Sequence, residues 1–365
     1  MILGLFPELT TPGGVQRVGR HVALVLSSIA RQQKLACYLL SLNDPPGRHA
    51  LKVGECTIEI QGFGRSKARF VLAMLGAAPL THLAYLAHPN LAPLGLLLRI
   101  LQPGARYCVT GHGIDVWERL PLLRRLSLRF AHAVTSPSLF TAEKMIRIQK
   151  LDPRKVTVLP WALDPAFLST DGSSAPPKLS MPPGKVLMTV ARLAVSEQYK
   201  GIETVIQALP RILSVVPDTY YVIVGDGDDR VRLERLAKDT GVANRVLFAG
   251  RTDDKQLASY YESCDIFVMP SSGEGFGVVF LEAMAFGKPV IGGNHGGTPE
   301  VVTEGMTGFL VEYGDVSTLT DRIVRLLSDE ELRTRMSEAS RRWVQQNSSF
   351  DHFRKELSRL LTGSN

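Results

Sequence analysis

Two carboxylates, Glu274 and Glu282, stand eight positions apart in EGFGVVFLEAMAFGKPV, a stretch otherwise apolar enough to be buried. An ionised carboxyl is a pure acceptor with two oxygens, so such a pair can grip vicinal hydroxyls like those of a ribose or a hexose. Gly273, Gly275 and Gly277 keep the backbone loose, and good helix formers begin near Val278. The spacing therefore predicts a loop carboxylate at 274 and a helix carboxylate at 282, about one turn in. The N–H groups of Phe276, Gly277, Val278 and Val279 at that helix start could receive an anion or sugar hydroxyls. The plainer reading makes Glu282 a helix-surface charge, against which stands the apolar AMAFGKPV beside it.

Other residues could share this chemistry. Arg192 and Lys200 in VARLAVSEQYKG follow a strand-like run, and two cations there could neutralise a diphosphate, including the charge that develops as it leaves. Gly13-Gly14 lies between a strand-like run and a helix-like one, where bare backbone offers N–H donors to a phosphate; a simple tight turn is the competing reading. No G-x-G-x-x-G fingerprint is present. Asp226-Gly227-Asp228 has an Asp-x-Asp form that can hold a divalent metal, yet it precedes a helix, so the reading preferred is an N-cap by Asp226 or Asp228, and no metal is expected. His112, between two glycines in VTGHGIDVW with Asp115 three residues on, could donate a hydrogen bond or carry a proton. His88, His132 and His295 are comparable lone histidines.

The elements that must position these residues follow from periodicity. ILGLF, LACYLL, HLAYLA, YCVTG, AVTS and KVTVLP read as strands, with helices such as VQRVGRHVALVLSSIARQ and SLFTAEKMIRIQK between them. This βα alternation predicts a parallel sheet covered on both faces. A Ser/Pro/Gly-rich stretch at 168–184 reads as a linker. A second series follows, through KVLMTVA, TYYVIVG, RVLFAG, DIFVMPS, KPVIGG and GFLVEY. The expected architecture is α/β with two doubly wound domains, 1–167 and 185–345, facing a central cleft, and a terminal helix in 346–365 crossing back to the first. Ligands of such sheets bind at the carboxyl ends of the strands.

With 45% hydrophobic and 21% charged residues the chain reads as globular rather than disordered, and 365 residues suit about two domains. The N-terminus reads as a first strand rather than a signal peptide, and no membrane span is expected. Four single cysteines, at 37, 56, 108 and 264, lack metal-ligand spacing and read as buried thiols in a reducing cytoplasm. Residues 1–165 carry 20 Lys+Arg against 9 Asp+Glu, or +11, and the remainder 22 against 26, or −4, which together restore +7. The basic first half, densest in RSKAR and RLPLLRRLSLR, suits an anionic partner: a phosphorylated acceptor, acidic phospholipid or nucleic acid. No nucleic-acid module is recognisable, which makes the last the weakest option.

EGFGVVFLEAMAFGKPVIG with GGTPEVV after it resembles the E-x7-E segment of the retaining glycosyltransferases of family 4, which have the GT-B architecture. GG near the start, GHGIDVW, the SPS turn after AVT, VARL…YKG, VGDG, VLFAG and DIFVMPS extend the resemblance over nearly the whole chain, most strongly in 186–312. It implies a nucleotide-diphosphate-sugar donor bound mainly by the second domain and an acceptor bound mainly by the first. Arg192 and Lys200 would then hold the diphosphate, with Gly14 approaching it. Glu274 and the backbone of Gly275–Val279 would meet the transferred sugar, Glu282 the ribose, and Gly250-Arg251 the nucleobase. His112 would lie near the reacting sugar, on the acceptor side with Asp115. The family's usual Asn-Gly-Val-Asp is here Trp161-Ala162-Leu163-Asp164, and Arg192 and Lys200 are spaced more widely than the family's tightest pattern.

The resemblance implies a metal-independent, retaining hexosyltransferase without cofactor, using a UDP-sugar by family frequency or else GDP-mannose. Its acceptor would be a glycan or lipid-linked molecule of cell-surface polysaccharide or glycolipid synthesis, met at the cytoplasmic face of the membrane by peripheral contact. A nucleotide-sugar 2-epimerase shares this architecture but needs further acid/base residues, and a non-catalytic nucleotide-binding module would release no nucleotide.

Overall fold

The computed structural model describes residues 1–11, 13–54, 56–163 and 181–363. The chain forms two compact units, Met1–Ala166 with Ser349–Asn365, and Phe167–Ser348. Most of the stretch expected as a linker, and Asp164, lie outside the described residues.

The first unit is built on an eight-stranded sheet. Its strands are β1 (Ile2–Phe6), β2 (Cys37–Ser41), β3 (Gly47–Val53), β4 (Cys56–Gly62), β5 (Leu83–Leu86), β6 (Arg106–Thr110), β7 (Ala133–Ser136) and β8 (Val156–Val158), in the order β3-β4-β2-β1-β5-β6-β7-β8. The short apolar runs β1, β5 and β7 are buried throughout, as strands covered on both faces must be. One expectation is corrected: the sheet is not wholly parallel. β3 and β4 form an antiparallel edge hairpin with Val53 opposite Cys56. Alternation of exposed and buried positions in β4, the strand next to the edge, shows a sheet face half open to water.

Helix Gly14–Gln32 buries Val18, Val22, Val25, Leu26 and Ile29, a stripe at three- and four-residue spacing. The terminal helix Phe350–Thr362 returns to this unit and packs on it: the His21 ring meets Phe350 edge-on at 5.2 Å and Phe353 at 6.3 Å.

The second unit has a six-stranded, fully parallel sheet of β9 (Lys185–Val190), β10 (Thr219–Val224), β11 (Val246–Gly250), β12 (Ile266–Met269), β13 (Val290–Gly293) and β14 (Gly308–Val311), ordered β11-β10-β9-β12-β13-β14. Its core joins strand residues such as Leu187, Tyr221 and Val268 to helix residues such as Val205, Leu209 and Ile323. Each sheet reverses direction beside its first strand, between β1 and β5 in one and between β9 and β12 in the other, and such reversals open a crevice at the strands' carboxyl ends.

Cys108 and Cys264 are buried, but Cys37 is half-buried and Cys56 exposed, because the edge hairpin places Cys56 beside water. No described helix is long and apolar enough to cross a membrane.

Candidate functional site

In the second unit the reversal point gathers most of the charged residues singled out above. Arg192 and Lys200 lie on the loop leaving β9, and Glu274 on the loop leaving β12. The loops are joined across the reversal: Ser272 N donates to Tyr199 O at 2.9 Å, and Thr189 Oγ1 donates to Val268 O beneath them. Gly201 turns the chain from a 3-10 helix, Val195–Lys200, into helix Ile202–Val215 with φ 74°; an added Cβ would lie 2.5 Å from Pro270 O. Only glycine lets the two loops approach this closely.

A residue not anticipated holds the two cations. The carboxylate of Glu197 accepts from Lys200 Nζ at 2.8 Å through one oxygen and from Arg192 Nη2 through the other. The signal was present in the sequence as the one acid between two cations in RLAVSEQYK, three residues from Lys200 and so one helical turn away. The Glu197 side chain is 9% exposed and that of Lys200 16%, whereas that of Arg192, at 70%, reaches into water.

Glu274 sits half-buried, and burial lifts its carboxyl above the ordinary range while Lys200 pulls it back. Burial likewise lowers Lys200, with Glu274 opposing and Arg192 adding to the effect. The Tyr199 hydroxyl is pushed up to about 12, by burial first and then by Glu274. These directions describe a sparsely hydrated pair, Lys200 and Glu274, in which burial works against both charges and each charge partly offsets that effect on the other.

The helix expected near Val278 runs Val278–Ala285, entered through Gly277 at φ 86°. A Cβ on Gly277 would lie 2.4 Å from the Phe280 ring, which itself is fully buried. Phe276 is buried, and the Glu274 carbonyl accepts from Gly297 N at 2.8 Å, so the loop is pinned on both sides. Glu282 is 2% exposed, and the Tyr261 hydroxyl donates to its Oε2 at 2.8 Å. It is thus a hydrogen-bonded buried carboxylate rather than a helix-surface charge. Gly250 closes β11 with φ 73° and its carbonyl accepts from Gly225 N at 2.8 Å, leaving Arg251 exposed at the same edge of the sheet.

The Asp226-Gly227-Asp228 turn corrects an expectation. Helix Arg230–Asp239 has Asp229 at its N-cap, with no side-chain capping bond. Asp226 instead accepts from Gly227 N at 2.9 Å, and Asp228 from Val195 N at 2.9 Å, so Asp228 ties this turn to the loop bearing Glu197. Among the described residues no cluster of three or more potential ligands could hold a metal ion.

In the first unit, the loop after β1 leads to Gly13, at φ 150°, and the helix beginning at Gly14. It is anchored by buried Asp44, another residue the sequence did not reveal, whose carboxylate accepts from Leu9 N at 2.8 Å, Thr10 N at 3.1 Å and Ser41 Oγ at 2.6 Å. Across the reversal, His112 meets His88, with ring centroids 5.6 Å apart, and Trp161, also at 5.6 Å. His112 Nε2 lies 2.7 Å from Ala87 O, an atom that only accepts, so Nε2 carries the hydrogen. Nδ1 is then a bare acceptor, buried and without a described protein partner.

Asp115 fixes the glycine loop rather than facing outward alone: it accepts from His112 N at 3.0 Å and Gly113 N at 2.7 Å. His88 Nδ1 accepts from Asn90 N at 3.0 Å, leaving its Nε2 hydrogen toward Asp115 Oδ2 at 3.8 Å. Burial, aided by His112 and Arg124, lowers His88 to about 4 against the pull of Asp115. His132 lies at the opposite edge of this sheet and His295 pairs with Glu312 at 3.0 Å, so neither joins the His88–His112 cluster.

Residues 177–343 match the family described as Glycosyl transferases group 1. A GDP-mannose-dependent alpha-(1-6)-phosphatidylinositol monomannoside mannosyltransferase of Mycolicibacterium smegmatis is 33% identical over 74% of this chain and 74% of its own length. N-acetyl-alpha-D-glucosaminyl L-malate synthase of Bacillus anthracis is 37% identical over 47% of this chain and 42% of its own. Among solved structures, sucrose-phosphate synthase from Thermosynechococcus elongatus superposes with a TM-score of 0.80 at 21% identity, covering 99% of this chain and 98% of that one. Anabaena HepE in complex with UDP-glucose gives 0.73 at 19% identity, with both chains fully covered. The fold these structures share is two Rossmann-like units, the GT-B fold.

Proposed function

The chain is a glycosyltransferase belonging to the family Glycosyl transferases group 1, and from that premise we propose that it transfers a mannosyl group from GDP-mannose to a lipid-linked or glycolipid acceptor. Transfer retains the anomeric configuration and needs no metal. The observation that carries this reading is the cluster of Arg192, Glu197, Lys200 and Glu274 at the reversal point of the second sheet. Cations already held in place offset the charge that develops on a departing diphosphate, the part a metal plays elsewhere. Glu274 accepts from hydroxyls of the transferred sugar, Glu282 from the ribose, and Gly250-Arg251 lines the base. Gly13 and Gly14 offer N–H groups to phosphate.

The donor rests on the names of two relatives matched over 74% of this chain, which are GDP-mannose-dependent and act on a phosphatidylinositol mannoside. They favour GDP-mannose over the UDP-sugar expected from family frequency. The sugar's anomeric carbon loses the diphosphate oxygen and gains the acceptor oxygen on the same face. The acceptor proton passes to the leaving phosphate, while His112, with Nδ1 as its bare acceptor, orients the hydroxyls. A lipid acceptor places the enzyme at a membrane surface, where the cations of helix Leu122–Phe130 stand beside exposed Leu122 and Leu123.

The deciding experiment offers GDP-mannose, UDP-glucose and UDP-galactose with phosphatidylinositol-linked acceptors, with and without EDTA, and reads free nucleotide and product anomer by NMR. Expected are GDP release, a product of the donor's own anomeric configuration and indifference to EDTA. An inverted product sinks retention, and turnover with UDP-sugars alone sinks the donor. Glu274→Ala should abolish transfer while GDP binding persists.

A further inference from the structure

The first unit carries a second cation cluster, at the edge of its sheet opposite to His112. Arg106 opens β6, while His132 and Lys155 immediately precede β7 and β8, so three adjacent strands present them at their amino ends. Arg99, from helix Ala92–Leu101, completes the group, and together they line a cavity of about 280 Å³ that has no carboxylate among its described lining residues.

None of the three constitutive cations has an ion-pair partner among the described residues. Each donates to a main-chain carbonyl instead: Arg99 Nη1 to Phe130 O at 2.8 Å, Lys155 Nζ to Arg129 O at 3.0 Å and Arg106 Nη2 to Leu361 O at 3.4 Å. A guanidinium has five N–H donors in a fork and an ammonium three, so one carbonyl bond each leaves most donors to other acceptors. The groups converge because all four line the same cavity, and burial and then Arg106, Lys155 and Arg99 hold His132 below its ordinary value. Like charges brought together around one concavity raise one another's energy unless an anion joins them, and forked donors suit phosphate oxygens.

We propose that Arg99, Arg106, His132 and Lys155 form a binding site for a phosphate group, distinct from the donor site of the second unit. A free phosphate and the phosphate of a lipid headgroup share this chemistry. The plain competing account is a solvated basic face, since Arg99, Arg106 and His132 are exposed. It predicts no special role for these cations over their neighbours.

The test titrates the full chain with inorganic phosphate by calorimetry and sediments it with phosphatidylcholine vesicles with and without phosphatidic acid. Wild type is compared with Arg106→Ala, Lys155→Gln and Arg154→Gln. Lys155→Gln keeps a donor for the Arg129 carbonyl and removes only the charge. Arg154 is one residue away but pairs with Asp152 at 2.8 Å outside the cavity, and serves as the charge control.

Losing charge-assisted bonds should weaken binding about tenfold in Arg106→Ala and in Lys155→Gln. The control and the thermal unfolding of all variants should stay at wild type. A loss in the calorimetric arm identifies free phosphate, and a loss confined to the phosphatidic-acid arm identifies a headgroup. Wild-type behaviour of both cavity variants in both arms overturns the site, as does an equal loss in Arg154→Gln. Because each comparison is a difference between variants, phosphate bound at the donor site cancels, and the outcome is independent of the proposed transfer reaction.

Discussion

The two sheets equip their reversal points in chemically opposite ways. Beside β9, side chains hold one another: Glu197 grips Lys200 and Arg192, and Glu274 faces the ammonium across a hydrogen-bonded pair of loops. Beside β1 and β5, the main chain does the holding: Ala87 O fixes His112, Asn90 N fixes His88, and Asp115 is occupied with the N–H groups of the glycine loop. The first arrangement gathers ionic side chains, with Lys200 and Glu197 at low hydration, and is suited to a ligand that is itself charged. The second fixes two imidazole rings through the main chain and is suited to hydroxyls and protons.

If that contrast is functional, the charged cluster must be the more sensitive to substitution. Lys200→Ala should lower kcat by about 10²–10³-fold, as loss of a preorganised group at developing charge does. His112→Ala should cost about 10²-fold, the range of a single proton-handling or orienting side chain. Steady-state release of nucleotide checks both. A larger loss in His112→Ala than in Lys200→Ala would reverse the assignment and put the rate-determining chemistry in the first unit.

Glu197→Gln sharpens the comparison. The amide still accepts from Lys200 yet no longer neutralises it, so the cations lose their shared clamp without leaving the site. Activity should fall about tenfold, mostly in KM for the donor, consistent with one charge-assisted bond made neutral. A fall confined to kcat would show that Glu197 acts on the leaving group directly rather than through Lys200.

How legible each site was follows from the same contrast. The Glu274 loop and the helix from Val278 were readable because glycines and helix formers abut, and a local sequence fixes a loop-to-helix turn. Sheet class was readable from short apolar runs, since strands covered on both faces need them. The β3–β4 hairpin escaped because β3 buries only Val53, so little apolar pattern marks it as a strand. Asp44, 34 residues from Thr10, and His88, 24 residues from His112, became partners only through strand order, which no local pattern encodes. Asp226 and Asp228 were misread as caps because turn geometry, rather than residue type, decides which N–H a carboxylate reaches.

The smallest expected effect concerns His88. Its folded value is lowered from 6.5 to about 4, chiefly by burial, with His112 and Arg124 adding and Asp115 opposing. As the pH falls from 6.5 toward about 4, the unfolded chain takes up a proton that the folded unit refuses, so stability declines through this window and is insensitive to His88 above it. In His88→Asn the side-chain oxygen can still accept from Asn90 N, but nothing titrates. The acid-side fall in Tm should therefore be smaller than in wild type by several degrees, with no difference at neutral pH. An acid limb unchanged in His88→Asn would show that burial does not keep the proton off this ring, and the contrast between a cluster of ionic side chains and a pair of imidazoles held by the main chain fails with it.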